Sequence, residues 1–126
     1  MTSVNKILVV DDEDMIRVNL EAFLDDEGFD VIAVATGEEA VEILRTNKEI
    51  QIAIVDLRLP GIDGNTVILE GNKCAEKVKY ILHTGSSEYV LPQELIDIGI
   101  KEYQILFKPL IEMDLLLDLI ERLGNQ

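Results

Sequence analysis

Asp56 closes a short apolar run, Ile52-Ala53-Ile54-Val55, and Pro60-Gly61 soon afterwards stops any regular structure. A carboxylate at that place adds little to packing. Its charge is costly in a core, so it belongs at a strand's exit, facing solvent or a cation. Other β-rich runs end the same way: Lys6 to Val10 on Asp11 and Asp12, Val78 onward on Thr84, and Ile105 to Phe107 on Lys108. In a parallel sheet all these ends lie along one edge, where ligands of open α/β sheets bind. Asp11, Asp12 and Asp56 brought together repel one another, and a hard cation with oxygen ligands relieves the repulsion. Carboxylates plus water suit Mg²⁺, which shares its shell readily with a phosphate. Lys108 and Thr84 would add charge and a hydrogen bond to phosphate oxygens. One aspartate remains as a nucleophile able to form an aspartyl-phosphate. The chemistry suggested is phosphoryl transfer onto the protein itself.

The elements that must position these groups follow in order. After the strand at Lys6 to Val10, apolar residues Ile16, Leu20, Phe23 and Leu24 recur at helical spacing, and Gly28 stands where a C-cap would. Phe29 to Val34 reads as a second strand. Thr36-Gly37-Glu38-Glu39 has the form of a capping box and opens a helix through Val41 and Leu44. Past the central strand, Asp63 suits the N-cap of a helix running from about Gly64 into the seventies, weakened in its second half by Gly71-Asn72. Val78 to Thr84 is a fourth strand and Pro92 to Ile98 a short helix, since proline opens a helix but cannot continue one. Ile105 to Phe107 is the fifth strand. The last helix carries Leu115, Leu116, Leu119, Ile120 and Leu123 on one side, with Gly124 stopping it. Strands alternating with helices predict a five-stranded parallel sheet with helices on both faces, α/β in class.

The chain has 126 residues, enough for one domain and little more, and 48% of them are hydrophobic, ample for a core. No linker or repeat divides residues 1–126. A net charge of −14 argues against direct contact with nucleic acid or an anionic membrane and favours uptake of a divalent cation. Cys74, the one cysteine, permits no internal disulfide and no cysteine-based metal site. No apolar run reaches membrane-spanning length, and Met1 to Lys6 lacks a signal-peptide core. The expectation is a soluble protein in a reducing cytoplasm. The last helix runs to the end of the sequence, so no output domain is expected within it.

With these residues in place, the sequence resembles a response-regulator receiver domain of the CheY type, whose flavodoxin-like sheet has the order 2-1-3-4-5. The matching stretches are Val9-Val10-Asp11-Asp12-Glu13, Val55 through Gly64 around Asp56, Leu82-His83-Thr84-Gly85 and Phe107-Lys108-Pro109. They appear in the family's order and span essentially the whole chain. The resemblance implies that Asp56 accepts a phosphoryl group from a phosphohistidine on a sensor histidine kinase or phosphotransfer protein. It implies Mg²⁺ held by Asp12, Asp56 and the Arg58 backbone carbonyl, with Asp11 acting mainly through water. Lys108 would pair with Asp56 and then with the phosphoryl group, and Thr84 would swing toward it, switching contacts with a downstream protein. The Lys108–Pro109 bond is expected to be cis. The protein would be a switch in two-component signalling and not an enzyme with turnover; a phosphorylation-dependent dimer stays open. The family's aromatic readout position, three before the lysine, is here Ile105. Tyr103 precedes it by two and shares its parity on the strand. The segment from Gly99 to Lys108 is about two residues longer than the family's usual one.

Plainer readings compete. Asp11-Asp12-Glu13-Asp14 would suit a helix's positive end. Arg58 by default is a solvated side chain, and His83 a packed or hydrogen-bonded strand residue. A phosphatase turning over an aspartyl intermediate would need an acid/base aspartate at position 58, where this chain has Arg58. The alternative is a degenerate receiver that binds partners without phosphorylation, and joint retention of Asp11, Asp12, Asp56, Thr84 and Lys108 counts against it.

Overall fold

The computed structural model describes residues 4–126; Met1, Thr2 and Ser3, part of the stretch expected to lack a signal-peptide core, lie outside the described residues. Five parallel strands, β1 (Lys6–Val10), β2 (Asp30–Val34), β3 (Ile52–Asp56), β4 (Lys79–Thr84) and β5 (Ile105–Phe107), form one sheet in the order β2-β1-β3-β4-β5. That is the flavodoxin-like order expected. Helices α1 (Asp14–Asp26) and α5 (Met113–Gly124) cover one face, and α2 (Gly37–Thr46), α3 (Gly64–Cys74) and α4 (Gln93–Asp97) the other.

Strand parity divides the core into two layers. Ile7, Val9, Ile52, Ile54 and Ile81 pack with Leu20 and Leu24 of α1 and with Leu116, Leu119, Ile120 and Leu123 of α5. Their neighbours Leu8, Val10, Ala53, Val55, Tyr80 and Leu82 pack with Leu44 of α2, Val67 and Ile68 of α3 and Leu95 of α4. The central strand β3 is therefore buried on both faces along its whole length.

Local signals place the helix starts. Thr36 Oγ1 accepts the Glu39 N–H at 3.1 Å and donates to Glu39 Oε1 at 3.0 Å. Asp63 Oδ1 caps α3 by accepting the Thr66 N–H at 2.9 Å. Gly71 does not end α3 early. A Cβ there would strike Tyr80 Oη and come within 2.8 Å of Leu44 Cδ1, so the glycine lets the helix lie close against β4 and α2.

Three boundaries sit slightly inside the expected ones. The Phe29 N–H caps α1 by bonding to Leu24 O at 3.1 Å, and the Val78 N–H closes a turn onto Ala75 O at 3.1 Å, so neither joins its strand. Pro92 is the N-cap of α4. The extra length after Gly99 is taken up by a 3₁₀ turn at Glu102–Gln104. The Gln104 amide anchors it, accepting from the Lys101 N–H and donating to Tyr80 O, both at 2.7 Å. Tyr103 consequently lies on that turn and not on β5, so the parity it was expected to share with Ile105 does not apply.

Candidate functional site

Parallel topology delivers what it must: the ends of β1, β3, β4 and β5 meet at one edge. Asp56 is the last residue of β3 and is only 3% exposed. Asp11, just past β1, is 1% exposed, held by its N–H to Val34 O at 3.1 Å and by its Oδ1, which accepts the Glu13 N–H at 2.9 Å. Asp12, next in sequence to Asp11, is exposed. Ligand oxygens of Asp11, Asp12 and Asp56 all lie within 4.8 Å of one another. Lys108 enters from β5 and puts Nζ 3.1 Å from Asp11 Oδ2, 3.1 Å from Glu13 Oε1 and 3.3 Å from Asp56 Oδ2. The Lys108–Pro109 peptide is cis.

Burial dominates the electrostatics. Loss of hydration pushes the Asp56 pKa up to about 6, and the Asp11 charge adds to the push. The Arg58 N–H, donating to Asp56 Oδ1 at 3.1 Å, and Lys108 pull it part of the way back. For Lys108, burial works against the charge, but the carboxylates of Asp11, Asp56 and Glu13 outweigh it and raise the pKa above the usual lysine value. The ammonium is thus firmly charged beside a carboxylate that ionises near neutrality.

Thr84 is buried at the end of β4; its hydroxyl accepts the Ser86 N–H at 3.1 Å, and its carbonyl accepts the Lys108 N–H at 2.8 Å. An open cleft of about 600 Å³ lies over these groups, lined by Asp12, Glu13, Asp56, Arg58, Lys108 and the Gly85 to Glu88 segment. The Arg58 side chain is exposed at its rim. Gly61, in the loop after β3, takes φ 75, which favours glycine, and its neighbour Ile62 donates its N–H to Glu38 Oε2 at 3.3 Å.

Ile105 is buried in the α2–α4 layer and pairs in register with Leu82, next to the Thr84 strand end. Tyr103 belongs to the opposite layer, its ring 3.5 Å below the Arg122 guanidinium and its hydroxyl accepting from Gln126 Nε2 at 2.6 Å. The aromatic in register with Thr84 is Phe107, which is 48% exposed. His83 is packed, as expected, but neither ring nitrogen has a hydrogen-bond partner, and burial lowers its pKa to about 4.

The sequence pattern did not reveal that Glu13 pairs with Lys108, nor that Arg17 ties the acidic loop together. Arg17 donates to Asp11 O at 2.9 Å and to Asp14 Oδ1 at 2.6 Å. The i,i+3 spacing of Asp14 and Arg17 was the available signal for the second bond.

The donor set fits a hard divalent cation. All three candidate ligands are carboxylates, and Asp11 Oδ2 is buried with no aligned hydrogen bond. With the Lys108 ammonium 3.1 Å away but no aligned hydrogen bond, that oxygen keeps part of a desolvation cost that a further cation would offset.

Residues 7–121 match the family model of the response regulator receiver domain. The chain belongs to that family. This receiver domain is 34% identical over 114 residues to transcriptional regulatory protein AruR of Pseudomonas aeruginosa, which covers 87% of this chain and 46% of that protein. It therefore spans about half the length of that relative. Sporulation initiation phosphotransferase F of Bacillus subtilis is 30% identical over 94 residues, 75% of either chain. Among solved structures, response regulator TrrA of Thermotoga maritima, in complex with Mg²⁺ and BeF, is similar with a TM-score of 0.82 at 30% identity. That likeness covers 95% of this chain and 99% of that one. A CheY-like receiver domain protein from Methanospirillum hungatei gives 0.81 at 27% identity, covering 98% and 96%. Receiver domains are response-regulator modules of two-component signalling. None of the described helices is long and apolar enough to cross a membrane.

Proposed function

We propose that the chain is a phosphorylation-driven switch in which Asp56 accepts a phosphoryl group from a phosphohistidine on a sensor histidine kinase or phosphotransfer protein. The observation that carries this is the buried Asp56 carboxylate, set among acidic neighbours with Lys108 Nζ 3.3 Å from its Oδ2. An Asp56 oxygen attacks phosphorus, the P–N bond to the donor imidazole breaks, and an acyl phosphate forms as the imidazole leaves with its electron pair. Asp12, Asp56 and the Arg58 carbonyl would hold Mg²⁺, with Asp11 behind them. The ion would neutralise phosphate charge as the attack proceeds.

Lys108 supplies a fixed positive charge to the incoming phosphoryl oxygens. The Thr84 hydroxyl accepts from Ser86 but keeps its own proton, which a phosphoryl oxygen can take as acceptor. Turning that hydroxyl would break the Ser86 bond and shift the loop that leads to α4, which carries the signal to a downstream protein. Ile105 and the exposed Phe107 flank that path, whereas Tyr103, engaged with α5, stands away from it. Residues 1–126 act as one receiver unit in the cytoplasm, a phosphoacceptor and not a turnover enzyme, and neither nucleic acid nor membrane is a direct partner of so acidic a chain.

Intact mass after incubation with MgCl₂ and acetyl phosphate tests this, with an Asp56→Asn variant alongside. Gain of one phosphoryl group by the parent only, abolished by chelator, is expected. No gain under conditions that label a control receiver would leave the phosphorylation-independent, partner-binding reading.

A further inference from the structure

Glu13 occupies the N-cap of α1 but makes no side-chain capping bond. Residues that cap helices well are short, and the glutamate spends its carboxylate elsewhere. Lys108 Nζ donates a hydrogen bond to Glu13 Oε1 at 3.1 Å across 95 residues of sequence. The same ammonium lies 3.1 Å from Asp11 Oδ2, yet that oxygen receives no aligned hydrogen bond. Glu13 thus shares the ammonium with Asp11 and Asp56 and takes an aligned hydrogen bond from it. It also stands apart from the Asp11, Asp12 and Asp56 group, with its side chain 60% exposed.

A cation entering among the three aspartates meets an ammonium already close to two of them, Asp11 and Asp56. Two positive charges that share the same oxygens repel each other, strongly where water is scarce. Glu13 offers the ammonium a partner outside the shared set. We propose that Glu13 is a positioning residue for Lys108, giving its ammonium a partner outside the shared set so that lysine and divalent cation do not contend for the Asp11 and Asp56 carboxylates. The proposal rests on reading the site as a Mg²⁺-dependent phosphoacceptor site.

The test is titration calorimetry of the full chain with MgCl₂ alone, on the parent, Glu13→Gln, Lys108→Met and the double variant. Glu13→Gln should weaken Mg²⁺ binding at least about threefold in the parent background, because the lysine then leans wholly on Asp11 and Asp56. In the Lys108→Met background the same substitution should leave the affinity unchanged within about 1.5-fold. Equal weakening in both backgrounds, or none in the parent, overturns the proposal, since Glu13 would then act only as diffuse charge or not at all. Should Lys108→Met fail to fold in a chelator melt, Glu13→Asp decides. It keeps the charge but shortens the reach, so weakening like that of Glu13→Gln supports the contact, and parent-like affinity refutes it. A parent that binds Mg²⁺ and is labelled at Asp56, but is indifferent to Glu13→Gln, sinks this proposal alone. A parent that neither binds nor is labelled sinks the underlying reading with it.

Discussion

On folding, the Asp56 carboxylate loses most of its hydration, and neither the Arg58 N–H nor Lys108 offsets that loss in full, so its pKa is pushed up to about 6. A carboxyl whose folded pKa lies above its unfolded value of 3.8 binds its proton more tightly in the folded chain. Its contribution to stability is fully present below pH about 4 and is lost as pH rises through about 6. Near neutrality the charged Asp56 therefore works against folding, a cost held in reserve for a reaction that needs an ionised nucleophile. Asp56→Asn removes that charge and keeps the shape. In chelator at pH 8 the variant should be more stable than the parent by on the order of 1–3 kcal/mol, and the gain should vanish near pH 4. Urea unfolding at both pH values checks this; equal stability at pH 8 would mean that Lys108 compensates the charge completely.

At the scale of elements, propensity and packing disagree most clearly at Gly71. Helix propensity alone predicts that Gly71→Ala stabilises α3 by about 1 kcal/mol. The packing predicts the reverse, because the new methyl group would meet Tyr80 Oη and lie 2.8 Å from Leu44 Cδ1. Tyr80 Oη is itself buried without a hydrogen-bond partner, and burial pushes its pKa well above the usual tyrosine value. Gly71→Ala should cost about 1–3 kcal/mol as overpacking, and Tyr80→Phe, which clears the oxygen, should recover part of it in the double variant. Thermal melts of the three variants decide; a stabilising Gly71→Ala would show that α3 can shift away from β4. The same contrast marks what could be read from the sequence. The β3 strand, the Asp63 cap and the strand-end cluster were legible because period, cap chemistry and parallel topology are local or follow from simple rules. Tyr103 was not: it was placed in line with the fifth strand, whereas a buried bond from the Gln104 amide to the distant Tyr80 carbonyl holds it on a 3₁₀ turn. The Glu13–Lys108 bond was hidden likewise: the acidic run explained itself as a helix start, and its true partner lies at the other end of the chain.

Across the whole molecule, a charge of −14 on 126 residues makes self-repulsion a general load on the fold, heaviest where Asp11, Asp12 and Asp56 converge. Two remedies differ in how they act. Monovalent salt screens all exposed charges over a Debye length of about 10 Å at 0.1 M, without regard to place. A divalent cation bound at one site stabilises the folded state by mass action, in proportion to the logarithm of its concentration above the dissociation constant. The midpoint of thermal unfolding should therefore rise with NaCl in chelator, and rise further in MgCl₂ at matched ionic strength. Asp12 is the exposed member of the cluster, so Asp12→Asn can be made with little disturbance of packing. That variant should keep the NaCl response and lose the excess given by MgCl₂. If the excess persists, Mg²⁺ is stabilising the chain as diffuse counter-charge, and the convergence of the three aspartates is only one part of a uniformly acidic surface.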